Sequence, residues 1–63
     1  MSRLNKDWIA LFESWGITID PAATVFQLMP PGRRYEVCFH QDPFTFQYAT
    51  LTAVQYTTLR LIA

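Results

Sequence analysis

Arg33-Arg34-Tyr35-Glu36-Val37-Cys38-Phe39-His40, then Gln41-Asp42-Pro43, then Phe44-Thr45-Phe46-Gln47-Tyr48-Ala49-Thr50: the reading of this stretch decides the fold. Tyr35, Val37 and Phe39 alternate with Arg34, Glu36, Cys38 and His40, and after the turn Phe44, Phe46 and Tyr48 alternate with Thr45, Gln47 and Ala49. Period two in successive runs, split by Asp-Pro, predicts a half-buried β-hairpin. A tight loop at Gln41 and Asp42 sets Phe39 opposite Phe44, Val37 opposite Phe46, and Tyr35 opposite Tyr48. All six side chains then share one face, and a slip of one residue would expose the rings. Phe46 is on this reading a core residue.

Working outward, Ser2 to Trp15 predicts a helix. Leu4, Trp8, Leu11, Phe12 and Trp15 form one apolar stripe at helical spacing. Ser2 or Asn5 can cap its start, and Asp7 suits the positive end of the helix dipole. Gly16 falls where a left-handed residue ends a helix, with Ile17 placed to pack back toward Phe12. Residues 20–29 admit two readings. Asp20-Pro21 is a good helix start, with Ala22, Val25, Phe26 and Met29 on one stripe. Thr24-Val25-Phe26 favours a strand, which a turn at Pro31-Gly32 pairs with the hairpin, Leu28 facing Tyr35 and Phe26 facing Val37. The strand is the favoured reading. Thr50 to Ile62 predicts a closing helix capped by Thr50, with Leu51, Val54, Thr58, Leu59 and Ile62 on its buried face.

The expected fold is therefore α+β: helix, three-stranded antiparallel β-meander, helix, with both helices packed on one face of the sheet. It spans residues 1–63 as one small domain. A chain of 63 residues, 51% hydrophobic and 16% aromatic, has an expected stability of roughly 3–9 kcal/mol at ~0.05–0.15 kcal/mol per residue. One cysteine rules out an internal disulfide framework. No basic n-region followed by an apolar h-region is seen and no apolar run reaches membrane-spanning length, so no signal peptide, a reducing, cytoplasmic setting and no membrane partner are expected. Five basic residues balance five acidic ones, which argues against strong non-specific binding to nucleic acid. Near-zero charge on an apolar chain also favours self-association, so a homodimer belongs among the expected partners.

Glu36, Cys38 and His40 alternate on one strand face, and Cys-x-His aims two soft metal ligands the same way. The chain has no second Cys or His to complete a structural zinc site, so no metal and no cofactor is expected. An open sheet face offers Cys38 neither an oxyanion hole nor a low-pKa setting. No Gly-rich phosphate loop, His-Glu-x-x-His motif or carboxylate pair is present, and no catalysis is expected.

Helix, three strands, helix is also the element order of the double-stranded RNA-binding domain, which the chain resembles in order and length. That resemblance implies phosphate contacts from a Lys-rich cluster where the second helix begins. The matching stretch here is Thr50-Leu51-Thr52-Ala53, without charge, so the phosphate clamp is missing. Shared topology does not carry function, and nucleic acid is not the expected partner, although a nucleic-acid-binding module or small transcription regulator is the alternative reading.

What remains is a protein-binding surface. The sheet face away from the aromatics should present Val25, Gln27, Met29, Arg34, Glu36, Cys38, His40, Thr45, Gln47 and Ala49. Met29 and Arg34 would pair across the first turn, with Gln27 and Glu36 behind them and Arg33 alongside. Arg combines an apolar stem with bidentate hydrogen bonding, and Met adapts its shape to a partner. The expectation is a small non-enzymatic module that binds another protein through Gln27, Met29, Arg33, Arg34 and Glu36. One concrete version is a phage- or mobile-element inhibitor of a host machine, of the anti-CRISPR kind.

Overall fold

A computed structural model describes all 63 residues. The elements run β1 (Ser2–Arg3), α1 (Lys6–Ser14), β2 (Val25–Leu28), β3 (Tyr35–Gln41), β4 (Thr45–Leu51) and α2 (Ala53–Ile62). The strands form one antiparallel sheet in the order β1-β2-β3-β4. The expected three-stranded meander is thus corrected to four strands. The extra strand is built from Ser2 and Arg3, at the start of the segment expected to be helical. Ser2 pairs with Phe26 and Arg3 with Val25.

α1 starts later because Asn5 is its cap: Asn5 is extended and its Oδ1 accepts the Trp8 N–H at 3.0 Å. The helix ends as expected at Gly16, whose φ of +77° lies in the left-handed region. The Gly16 N–H donates to the Glu13 carbonyl and the Ile17 N–H to the Phe12 carbonyl, the paired bonds of a Schellman stop. α2 begins at Ala53, two residues after the expected start. Thr52 and Gln55 form a reciprocal capping box, the Gln55 N–H donating to Thr52 and the Thr52 N–H to the Gln55 side chain.

The core sits between one face of the sheet and both helices. Phe12 of α1 meets Phe39 edge-on at 4.7 Å and Phe26 at 5.2 Å between ring centroids. Leu59 and Tyr56 of α2 join them with Val37 and Leu51. Phe12, Phe26, Val37, Phe39 and Leu59 are fully buried, each contributing ~1.5–3 kcal/mol by removal from water. Trp8 and Trp15 pack partly buried at the margin of this cluster. Val54 and Ile62, expected inside, are exposed, and Tyr56 takes the inward place. Its hydroxyl donates to the Met29 carbonyl at 2.6 Å, so a buried ring keeps its polar tip satisfied.

Residues 25–28 form a strand, with the register of β2 on β3 moved by two places: Leu28 faces Val37, where Tyr35 was expected. An even shift preserves the faces, and Phe26 and Leu28 stay on the core side. The register of β4 on β3 moves by three places: Val37 faces Ala49, where Phe46 was expected. An odd shift turns the strand over. Phe46 and Tyr48 therefore lie on the side away from the helices, 57% and 56% exposed, and Phe44 in the turn is 88% exposed. The assignment of Phe46 to the core is overturned. The cause is the turn. Gln41 pairs with Thr45, leaving Asp42, Pro43 and Phe44 as the connection, with the Phe44 N–H donating to the Gln41 carbonyl at 2.9 Å.

Candidate functional site

The sheet face away from the helices is read most directly as three rows. Arg3, Val25, His40 and Phe46 lie side by side across the four strands. Gln27, Cys38 and Tyr48 form the next row. Met29, Glu36 and Thr50 form the third, closed by the Met29 N–H donating to the Glu36 carbonyl at 3.0 Å. No helix covers these rows, yet Cys38 and His40 are each only 4% exposed. Their position on the inner strand β3 explains this, since flanking side chains close over them. The Phe46 ring lies over His40, centroids 5.4 Å apart and planes 27° apart. The result is a buried floor with exposed aromatic side chains along the β4 margin.

Electrostatics on this face is local. The Cys38 sulfur beside Tyr48, as a competing charge and as a hydrogen-bond partner, raises the Tyr48 phenol above its ordinary value of 10.0. Desolvation and then Glu36 add in the same direction. His40 Nδ1 is buried without a hydrogen-bond partner, an arrangement that costs stability. Cys38 is a free thiol. No three His, Cys, Asp or Glu side chains come close enough to hold a metal ion. One hollow of the surface reaches this face at Gln27, beside Met1 and Ala63; the others run along Val54 and Thr57 of α2 and between Trp8 and Ile62. None is lined by Cys38 or His40.

The residues singled out from sequence divide into two groups. Gln27, Met29 and Glu36 come together on the outer face. Arg33 and Arg34 are exposed but lie in the loop between β2 and β3, outside the ladder. Met29 therefore faces Glu36 where Arg34 was expected, and the middle of the face is Cys38. Thr45, Gln47 and Ala49, assigned to this face from sequence, point to the core side with Phe39 and Val37. Gln47 is bonded there at both ends of its amide. Its Oε1 accepts the Asp20 N–H at 3.0 Å and its Nε2 donates to the Thr18 carbonyl at 2.6 Å. Sequence reasoning missed Phe46 and Tyr48 as surface residues. The available signal was Leu51, the large aliphatic residue that continues the set Thr45, Gln47, Ala49 and marks it as inward.

No protein-family model, curated protein or solved structure matches the chain. No helix is long and apolar enough to cross a membrane.

Proposed function

We propose that the protein is a small non-enzymatic binding module that engages another protein through the outer face of its sheet, in a reducing, cytoplasmic setting. The observation that carries this reading is the pair Phe46 and Tyr48, more than half exposed on rigid strands over a buried floor. Aromatic side chains presented this way are the usual anchors of protein interfaces, and their rotamers are already restricted before binding. Gln27 and Glu36 supply polar partners, and Met29 supplies adaptable apolar surface. Arg33 and Arg34 stand at the rim, where charge acts on encounter rate and salt dependence. Action by occupancy, blocking a partner's surface, suits a face whose exposed rings stand on an open sheet.

Exposed rings on an open sheet also stack single-stranded bases in some nucleic-acid-binding folds. Zero formal charge, and Arg3 as the one basic residue in the three rows against Glu36, favour protein over phosphate. The test is affinity capture from the source cell with wild type, Phe46→Asp and Val54→Asp immobilised in parallel. A protein held by wild type and by Val54→Asp, and lost by Phe46→Asp, supports the reading. Retention by all three rejects the face. Displacement by single-stranded DNA or RNA, with steep salt dependence, would select the nucleic-acid reading.

A further inference from the structure

The two edges of the sheet are built differently. β1 is two residues long and carries the charged Arg3, devices that keep an edge strand from pairing with another chain. β4 is seven residues long, Thr45-Phe46-Gln47-Tyr48-Ala49-Thr50-Leu51, with no charge, proline or glycine. Its hydrogen-bonding phase follows from the ladder. Met29 bonds to Glu36, so Glu36, Cys38 and His40 direct their backbone groups toward β2. By alternation Tyr35, Val37, Phe39 and Gln41 direct theirs toward β4, meeting Leu51, Ala49, Gln47 and Thr45. The N–H and C=O groups of Phe46, Tyr48 and Thr50 then point outward along the free edge. None of the turn, loop and cap bonds reaches them.

We propose that a second copy of the chain adds to β4, antiparallel, about a two-fold axis at Tyr48. This register pairs Tyr48 with itself, Phe46 with Thr50 of the other copy, and Thr50 with Phe46. It gives a partner to every outward backbone group of the strand, whereas a slip of two residues toward the turn leaves Thr50 without one. Antiparallel partners keep the same face, so the outer faces of both copies join into one surface with Phe46 and Tyr48 near its middle. The interface is isologous and closes as a dimer. Uncharged β4 strands meet without repulsion. The exposed parts of Phe44, Phe46 and Tyr48 set an upper limit of about 400 Å² per copy, taking ~150–250 Å² for a whole aromatic side chain. That is about half the ~800 Å² each partner gives to a standard stable interface. The dimer is therefore weak and concentration-dependent.

Sedimentation across a dilution series, with two variants, tests this. Thr50→Pro removes one outward donor without touching a bond to β3, a placement an edge strand tolerates. It should weaken the dimer by roughly tenfold or more, because the axis removes the bond twice, and leave the thermal melt of the dilute, monomeric chain unchanged. In a Cys38→Ser background, Tyr48→Cys should form a disulfide dimer on mild oxidation. Hydrogen-bonded partners lie ~5.5 Å apart between Cα atoms, within the range of a disulfide. Gln47→Cys in the same background, the self-pairing position of the slipped register, should not. Wild type that stays monomeric at every concentration overturns the proposal. So does a dimer that Thr50→Pro leaves intact, or one that cross-links through Gln47→Cys. Sedimentation of the purified chain reads the dimer with no other partner present, so this outcome is separate from that of the binding face.

Discussion

Phe12 and Phe46 are both phenylalanines on segments of strong apolar periodicity, and truncating each to alanine should have opposite consequences. Phe12 is wholly buried and its ring meets four others: Phe39 at 4.7 Å, Phe26 at 5.2 Å, Trp15 at 6.0 Å and Trp8 at 6.4 Å. Phe→Ala at a packed site costs ~3–5 kcal/mol in lost transfer energy and residual cavity. The lost aromatic pairs sit at the upper end of that range rather than beyond it, because collapse of Trp8 and Trp15 into the space recovers part of the contact. Against a total of roughly 3–9 kcal/mol for a chain of this length, Phe12→Ala should leave much of the protein unfolded at 25 °C. Phe46 is 57% exposed, and truncating it removes less than half of a side chain's burial and one contact with His40. A cost of at most ~1 kcal/mol is expected, a fall in Tm of no more than ~4–8 °C for a domain of this size. Far-UV circular dichroism with heat and urea melts reads both. A cooperative wild-type-like melt for Phe12→Ala would show that Phe12 is not a core residue, and loss of the fold in Phe46→Ala would show that β4 presents its other face to the helices.

Thr52→Ala removes half of the capping box of α2 and should cost ~0.5–2 kcal/mol in urea denaturation, with Gln55→Ala costing less. His40→Phe keeps a ring against Phe46 and deletes the buried, unpartnered Nδ1; its melt should occur at or above the wild-type temperature, and a marked fall would mean that the imidazole has a bonding role. The Tyr48 phenol is raised in the folded state, so the folded chain holds that proton where the unfolded chain has lost it. Its contribution is present below the ordinary value of 10.0 and lost as pH rises through the folded value. The phenolate absorbance difference between wild type and Tyr48→Phe should titrate late, and Cys38→Ser should bring it earlier.

Where the sequence was legible, a local rule and the tertiary structure agreed. The stripe through Phe12, Asn5 as a cap and Gly16 as a stop are short-range features, and α1 uses all three. Val37 and Phe39 were legible as inward because β3 is an inner strand and its even and odd sets differ in character. The β4 strand was legible only through Leu51, because alternation shows that two faces exist without saying which is inside. Phe46 and Tyr48 are larger and more apolar than Gln47 and Ala49, so hydrophobicity alone selects the wrong set. The deciding variable was the turn, where one more residue than expected, together with its pairing of Gln41 with Thr45, inverts the strand. The two-residue β1 carries no periodicity, and its pairing with β2 is visible only in three dimensions. For the candidate site, Gln27, Met29 and Glu36 were legible through strand parity, whereas Arg33 and Arg34 were displaced by the wider loop after Met29.

Gln47 gives the connection between α1 and β2 something a loop ordinarily lacks, a rung of its own. One side-chain amide accepts from Asp20 and donates to Thr18, so residues 27 and 29 positions away along the chain are joined by a substitute for strand pairing. The loop and the β3–β4 hairpin are thereby made to open together. The Asp20 amide becomes a reporter of the distant hairpin: its hydrogen exchange should slow only once β4 has docked, and should quicken in Gln47→Ala while amides within α1 keep their rates. A segment without regular structure is in this way made part of the same cooperative unit as the sheet.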